Sequence, residues 1–230
     1  ASARARARGA ARPLPRGAAS MQAQSQLTRQ TITLKGSTKT VTEFFGYAVN
    51  SILFQRGIYG PETFSAVKKY GLQLQVTNDP GLTEYLGSVL KQLSEWLLEG
   101  KLQKLVLVIA KLDGGEIIER WAFDVQTDQD CVNEGKTHEK SEEEIQREIQ
   151  AVIRQVTASI TFLPLLNDVC TFDLLCYTDK DSDVPLQWEE SEAKFIQNQA
   201  EVKLRSFSTK VHTVEPMVAY KAEEDEFSLL

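Results

Sequence analysis

Histidine is nearly missing from this chain. Two, His138 and His212, stand among 230 residues. Neither has a second histidine or a close cysteine partner in the sequence, so the reading disfavours zinc and expects no metal and no cofactor. The three cysteines, Cys131, Cys170 and Cys176, form an odd count without framework spacing. That favours reduced thiols in an intracellular protein over a disulfide scaffold. No apolar run approaches the roughly 18 residues of a membrane span, and no membrane contact is expected. There is no G-x-S-x-G and no G-x-G-x-x-G. Gly135-Lys136-Thr137 matches the end of a phosphate loop, but Asp130 stands where the first glycine belongs and no strand runs into it. A nucleotide hydrolase is therefore disfavoured, and no catalytic residue is assigned.

The net charge of −6 hides an asymmetry. Residues 1–20 hold five arginines and no acid, so the other 21 basic residues face 32 acidic ones, a balance of −11. A body of that charge does not suit nucleic acid, which needs a basic face. Residues 1–20 read as a disordered Arg/Ala-rich extension. At 42% hydrophobic and 25% charged residues, the remainder suits one domain with a sizeable core.

Val41, Phe44, Phe45, Ala48, Val49, Ile52 and Leu53 recur at helical spacing, with Thr40 or Ser37 as candidate N-caps. Short strands are expected at 64–67 and 71–76. Asp79-Pro80 opens a second helix with the stripe Leu82, Tyr85, Leu86, Val89, Leu90, Leu93, Trp96 and Leu97, ended by Gly100. Leu102 to Leu112 reads as a strand buried on both faces, turning at Asp113-Gly114-Gly115 into a strand over 116–126. Residues 127–140 read as a loop. Ser141 to Glu144 suggests a capping box for a third helix, with the stripe Ile145, Ile149, Val152, Ile153, Val156 and Ile160. A strand over 169–177 follows, with Cys170 and Cys176 on one face as core residues. The fold class is α+β, three long helices against a mainly antiparallel sheet.

Two features look functional. Arg154 falls opposite the apolar stripe of its helix, beside the small Ala158 and Thr161, and suits an interface hot spot. Thr178 to Tyr220 has apolar residues but no dense stripe. A segment of that kind can lie on a core in more than one way, and it decides whether the edge of the preceding strand is covered. Trp188 within it is either an anchor or a binding contact.

Several stretches then match a known family: Ala48 to Tyr59, Glu119-Arg120-Trp121, Ile153 to Ala158, Thr161 to Leu166, Tyr177 to Asp181, Arg205-Ser206-Phe207 and Met217 to Lys221. Together they resemble the HORMA-domain family, and within it the spindle-assembly-checkpoint branch. The resemblance implies a HORMA domain over 21–230, with a core of about 32–180, a mobile safety belt of about 181–221 and an acidic tail at 222–230. It implies two topologies, open and closed, and capture of a partner peptide as an added strand. The edge strand and belt would then use Thr171, Phe172, Asp173, Leu174, Leu175, Cys176, Tyr177 and Trp188. Arg154, Gln155, Phe162, Arg205 and Phe207 would serve a dimer and adaptor interface. Leu34, His212, Val214, Met217 and Tyr220 would belong to the topology switch. The implied partners are a kinetochore coiled-coil checkpoint receptor, the anaphase-promoting-complex activator, a HORMA-like silencing adaptor, an AAA+ remodelling ATPase and a second copy of the chain. The implied sites of action are nucleus, kinetochore and cytoplasm. Within the family the alternative role is an adaptor of translesion synthesis or of the meiotic axis.

Overall fold

The computed structural model describes residues 29–186 and 188–222. A short strand β1 (Arg29–Ile32) leads into α1 (Leu34–Gln55). The helix is capped by Thr33, whose side chain accepts the Gly36 N–H at 3.1 Å. The expected caps are therefore displaced. Thr40 donates its hydroxyl back to the Gly36 carbonyl, and Ser37 is fully buried and turned toward His212. The predicted stripe is the buried face: Val41, Phe44, Phe45, Ala48, Ile52 and Leu53 are wholly inaccessible.

The hairpin β2 (Phe64–Lys69) and β3 (Leu72–Thr77) precedes α2 (Pro80–Leu98). Asp79 caps α2 as predicted, accepting the Leu82 N–H at 2.7 Å. Gly100 ends it at φ +67°, the left-handed conformation that terminates helices at least strain in glycine. Tyr85 departs from the predicted stripe and is 42% exposed.

Strands β4 (Leu102–Lys111) and β5 (Ile117–Thr127) form the centre of the sheet. The segment expected to be a loop instead contains a short helix α3 (Gln129–Asn133) and a strand β6 (His138–Ser141), which pairs with β1. Their shortness and polarity leave no periodic signal to read. Helix α4 (Glu142–Ala158) starts at Ser141, but the serine makes no capping hydrogen bond. Its acidic first turn still complements the helix dipole. The backbone tightens to a 3-10 turn at Ser159–Thr161, which breaks the 3.6-residue register and leaves Ile160 42% exposed.

After α4 come β7 (Cys170–Thr178), β8 (Gln199–Lys203), β9 (Phe207–Ser208) and β10 (His212–Lys221). The large sheet runs β7-β4-β5-β10-β8, with β9 also on β10, and every pairing is antiparallel. Helices α1, α2 and α4 bury its inner face. Phe123 of β5 meets Phe44 and Phe45 edge-on at 5.9 Å each, and Phe207 packs 4.7 Å from Phe44. Removing one such ring from a core costs about 3–5 kcal/mol. Arg56 at the end of α1 is nearly buried and donates to Glu119 of β5 and to the Pro164 carbonyl. Trp121 Nε1 donates to the other Glu119 oxygen at 3.2 Å. This buried cluster joins helix, sheet and the loop before β7.

Candidate functional site: a bare sheet border and the segment around it

Strand β7 alternates its side chains between two faces. Cys170, Phe172, Leu174 and Cys176 lie on the helix side, with Leu174 in the main core. Leu175 and Tyr177 lie on the opposite face with Val106, Val108 and Ala122, and Thr171 and Asp173 are exposed. Inward, β7 pairs with β4 from Leu102↔Thr178 to Lys111↔Cys170. Outward it has no strand partner among the described residues. Its outer N–H and C=O groups are a template for strand addition.

An aromatic shelf borders that edge. Phe172 meets Tyr59 at 6.2 Å and Tyr85 at 5.9 Å, both near edge-on. Partial burial raises the pKa of the Tyr85 phenol, offset in part by the Leu174 backbone beside it. Tyr85 was expected in the core; the structure places it at the mouth of this edge.

The segment 179–198 turns round the same border. On the helix side, Trp96 Nε1 donates to the Asp183 carbonyl at 3.1 Å, and Trp188 packs edge-on against Trp96 at 5.2 Å. Trp188 is thus an anchor of this segment. On the opposite face, Lys194 forms an ion pair with Asp173, and the Phe195 ring lies 5.8 Å from the Arg120 guanidinium. Val184, Leu186 and Phe195 are 57%, 104% and 71% exposed. The chain therefore leaves β7 at one border of the sheet and enters β8 at the other.

At the far border, β10 runs beside β5 from His212↔Thr127 to Tyr220↔Glu119. Four residues named for a topology switch lie on it: His212 and Val214 are fully buried, and Met217 and Tyr220 are half-buried. The fifth, Leu34, is the partly buried first residue of α1. His212 Nδ1 accepts from Ser37 at 2.6 Å, and its Nε2 faces the Leu97 carbonyl at 3.3 Å. Thr209 completes the network through Ser37 and the His212 backbone. Burial holds the imidazole neutral and lowers its pKa to about 4. The ring thereby fastens the start of β10 to α1 and α2.

Arg154 is exposed on α4, as predicted, and Gln155 beside it accepts the Arg205 backbone N–H. Phe162 is 42% exposed and lies 6.3 Å from the Tyr220 ring. Phe207, expected on the same surface, is instead 1% exposed and sits in the core against Phe44.

The thiols do not suit nucleophilic work: burial pushes Cys131 and Cys170 upward, and Cys176 to about 12. Lys136 of the phosphate-loop look-alike is held by Asp130 at 2.6 Å and Glu134 at 3.1 Å. One sequence reading is corrected here. His138 does have a cysteine neighbour: it meets Asp128 and Cys131, with the three donor atoms within 4.8 Å of one another. Residues 132–137 separate Cys131 from His138 in the chain, and the fold of α3 onto β6 closes the gap.

Residues 37–212 match the model of the HORMA domain. A "Mitotic spindle assembly checkpoint protein MAD2A" from Dictyostelium discoideum is 60% identical over 199 residues, covering 86% of this chain and 97% of that relative. Among solved structures, a chain of the "Crystal Structure of Mitotic Checkpoint Complex" matches with TM-score 0.74 and 46% identity, covering 81% of this chain and 99% of that one. A C. elegans structure, HTP-2 bound to the HIM-3 closure motif, shares the fold at TM-score 0.66 and 15% identity, covering 83% of this chain and 92% of that one.

Proposed function

The chain belongs to the HORMA-domain family, and we propose that it is a spindle-assembly-checkpoint protein of the MAD2 kind that captures partner peptides at the β7 border. The arrangement described here is the closed one, with β10 at the far border and β7 available. In the open one, the C-terminal segment covers β7 itself. A partner peptide adds to β7 as a strand. Main-chain pairing supplies affinity, and the pockets beside Phe172, Tyr59 and Tyr85 select its side chains. Residues 179–198 then close over it as a belt.

The observation that carries this reading is the combination at one border: an unpaired outer edge and a chain segment wrapped around it. The family match and the relation to a chain of the mitotic checkpoint complex support it. The partners are the kinetochore coiled-coil receptor and the anaphase-promoting-complex activator, whose inhibition is the output. The silencing adaptor and a second copy of the chain dock on the surface of Arg154, Gln155, Arg205 and Phe162. The AAA+ ATPase resets the closed topology, and the protein works in nucleus, cytoplasm and at kinetochores. It acts by binding and has no catalytic step of its own.

The test is amide exchange with synthetic peptides from the receptor and the activator. Saturating peptide is expected to slow exchange at alternate amides of 170–178. A scan of N-methylated peptides should weaken binding at alternate positions only, at least tenfold each, because every second N–H faces β7. Unchanged exchange across β7 at saturation overturns the proposal.

A further inference from the structure

The loop between β5 and β6 folds so that three different metal-ligating groups converge. Asp128 follows the last residue of β5 and caps α3, Cys131 lies within α3, and His138 begins β6. One carboxylate oxygen of Asp128 is occupied by the Asp130 N–H at 3.0 Å. The other lies 2.7 Å from His138 Nε2. The Cys131 sulfur completes a triangle in which all three donor atoms lie within 4.8 Å. Cys131 is buried at 1% exposure, while the His138 and Asp128 side chains are 37% and 33% exposed and leave the group open to solvent on one side.

We propose that Asp128, Cys131 and His138 form a binding site for a borderline divalent cation of the zinc class. The chemistry of the donors selects the ion. A thiolate with an imidazole and a carboxylate favours zinc or cobalt over magnesium and calcium, which prefer all-oxygen shells. Tetrahedral zinc at 2.0–2.3 Å from its ligands sets those ligands about 3.3–3.8 Å apart. The 2.7 Å contact between Asp128 and His138 must therefore open by about 1 Å or less, a rotation within reach of two side chains that are a third exposed. Water fills the fourth position. On binding, the Cys131 S–H bond breaks, the sulfur–metal bond forms and the proton leaves to solvent.

The local field favours a cation. Asp130 and Glu134 flank the site and share one Lys136, so the cluster with Asp128 retains an excess of negative charge. The ion also has mechanical consequences. His138 pairs with Ile32 of β1, and the Asp128 N–H donates to the Val211 carbonyl one residue before β10. A bound ion ties the landing places of the N-terminal strand and of β10 to one point.

The experiment is titration of the reduced full-length protein with cobalt(II), followed by displacement with zinc. One equivalent is expected to give a thiolate-to-metal absorption band with tetrahedral d–d bands, and zinc should abolish both. Cys131→Ser should remove the band. His138→Gln, at a partly exposed position that spares the core, should weaken binding at least tenfold. Calorimetry in buffers of different ionisation enthalpy should report about one proton released per ion. No thiolate band at one equivalent, or a band of equal strength in Cys131→Ser, overturns the proposal. If Cys131→Ser does not fold, unchanged cobalt affinity in His138→Gln overturns it.

Discussion

At one border of the large sheet, β10 lies between β5 and β8, with Val214, Val218 and His212 fully buried and Ala219 at 1% exposure. At the other, β7 pairs only inward, and its outer side meets aromatic rings and a crossing segment in place of a strand. The backbone chemistry of the two borders is the same. The difference lies in what the C-terminal chain brings to each. Strand β10 carries three inward apolar or neutralised side chains, His212, Val214 and Val218, that continue the core. Residues 179–198 bring scattered anchors, and three of their large apolar side chains point to water. One border is closed by packing and the other is only fenced, and the proposed capture at β7 rests on this inequality.

The largest expected effect comes from deleting residues 211–220. The far border loses its filling, the closed arrangement has nothing to hold it, and peptide affinity in a fluorescence-anisotropy titration should fall at least a hundredfold. Unchanged affinity would mean that the two borders are independent.

Acid should open the packed border next. His212 is neutral in the fold, with its pKa lowered to about 4, against an unfolded value near 6.5. Between these values the unfolded chain takes up a proton that the fold refuses, so stability falls as pH drops from about 6.5 toward 4 and is level above. The loss approaches about 3 kcal/mol at pH 4. Urea unfolding across this range should show the slope, and His212→Gln should flatten it.

The fenced border is sharpened by Trp188→Ala. It removes the edge-on pair with Trp96 from a half-buried site, and it should lower global stability by about 1–3 kcal/mol. Its clearer signature is a peptide dissociation rate raised tenfold or more with a nearly unchanged association rate. Equal effects on both rates would count against a fence. The smallest change in stability belongs to Arg154→Glu. It lies on neither border, should leave unfolding within about 0.5 kcal/mol of the parent, and should weaken self-association in sedimentation at least tenfold.

Much of this contrast was legible in the chain. The stripes of α1, α2 and α4 and the apolar run of β4 are strong local signals because each buries one continuous face. Arg154 was legible for the opposite reason, as a residue turned away from its stripe. Phe207 and Tyr85 were misplaced because burial at the end of an irregular segment, or at the margin of a helix, is set by what packs there. The pairing of His212 with Ser37, of Lys194 with Asp173 and of His138 with Cys131 spans contacts that no short-range period encodes. Which border β10 occupies has no local signature: its alternating pattern satisfies either neighbour.

The span 179–198 has a further consequence. Its 20 residues link strands four places apart in the sheet, a lateral distance of roughly 19 Å. The same 20 residues reach roughly 66–72 Å when extended. Gln199 also stands level with Thr171, seven residues along β7 from Thr178, so the full span is roughly 30 Å and the strap carries about twice that length. In the proposed capture, retention would rest on a handful of contacts, the indole pair, the Lys194–Asp173 ion pair and the Phe195–Arg120 contact. Loosening them is then the step that would let a guest in or out.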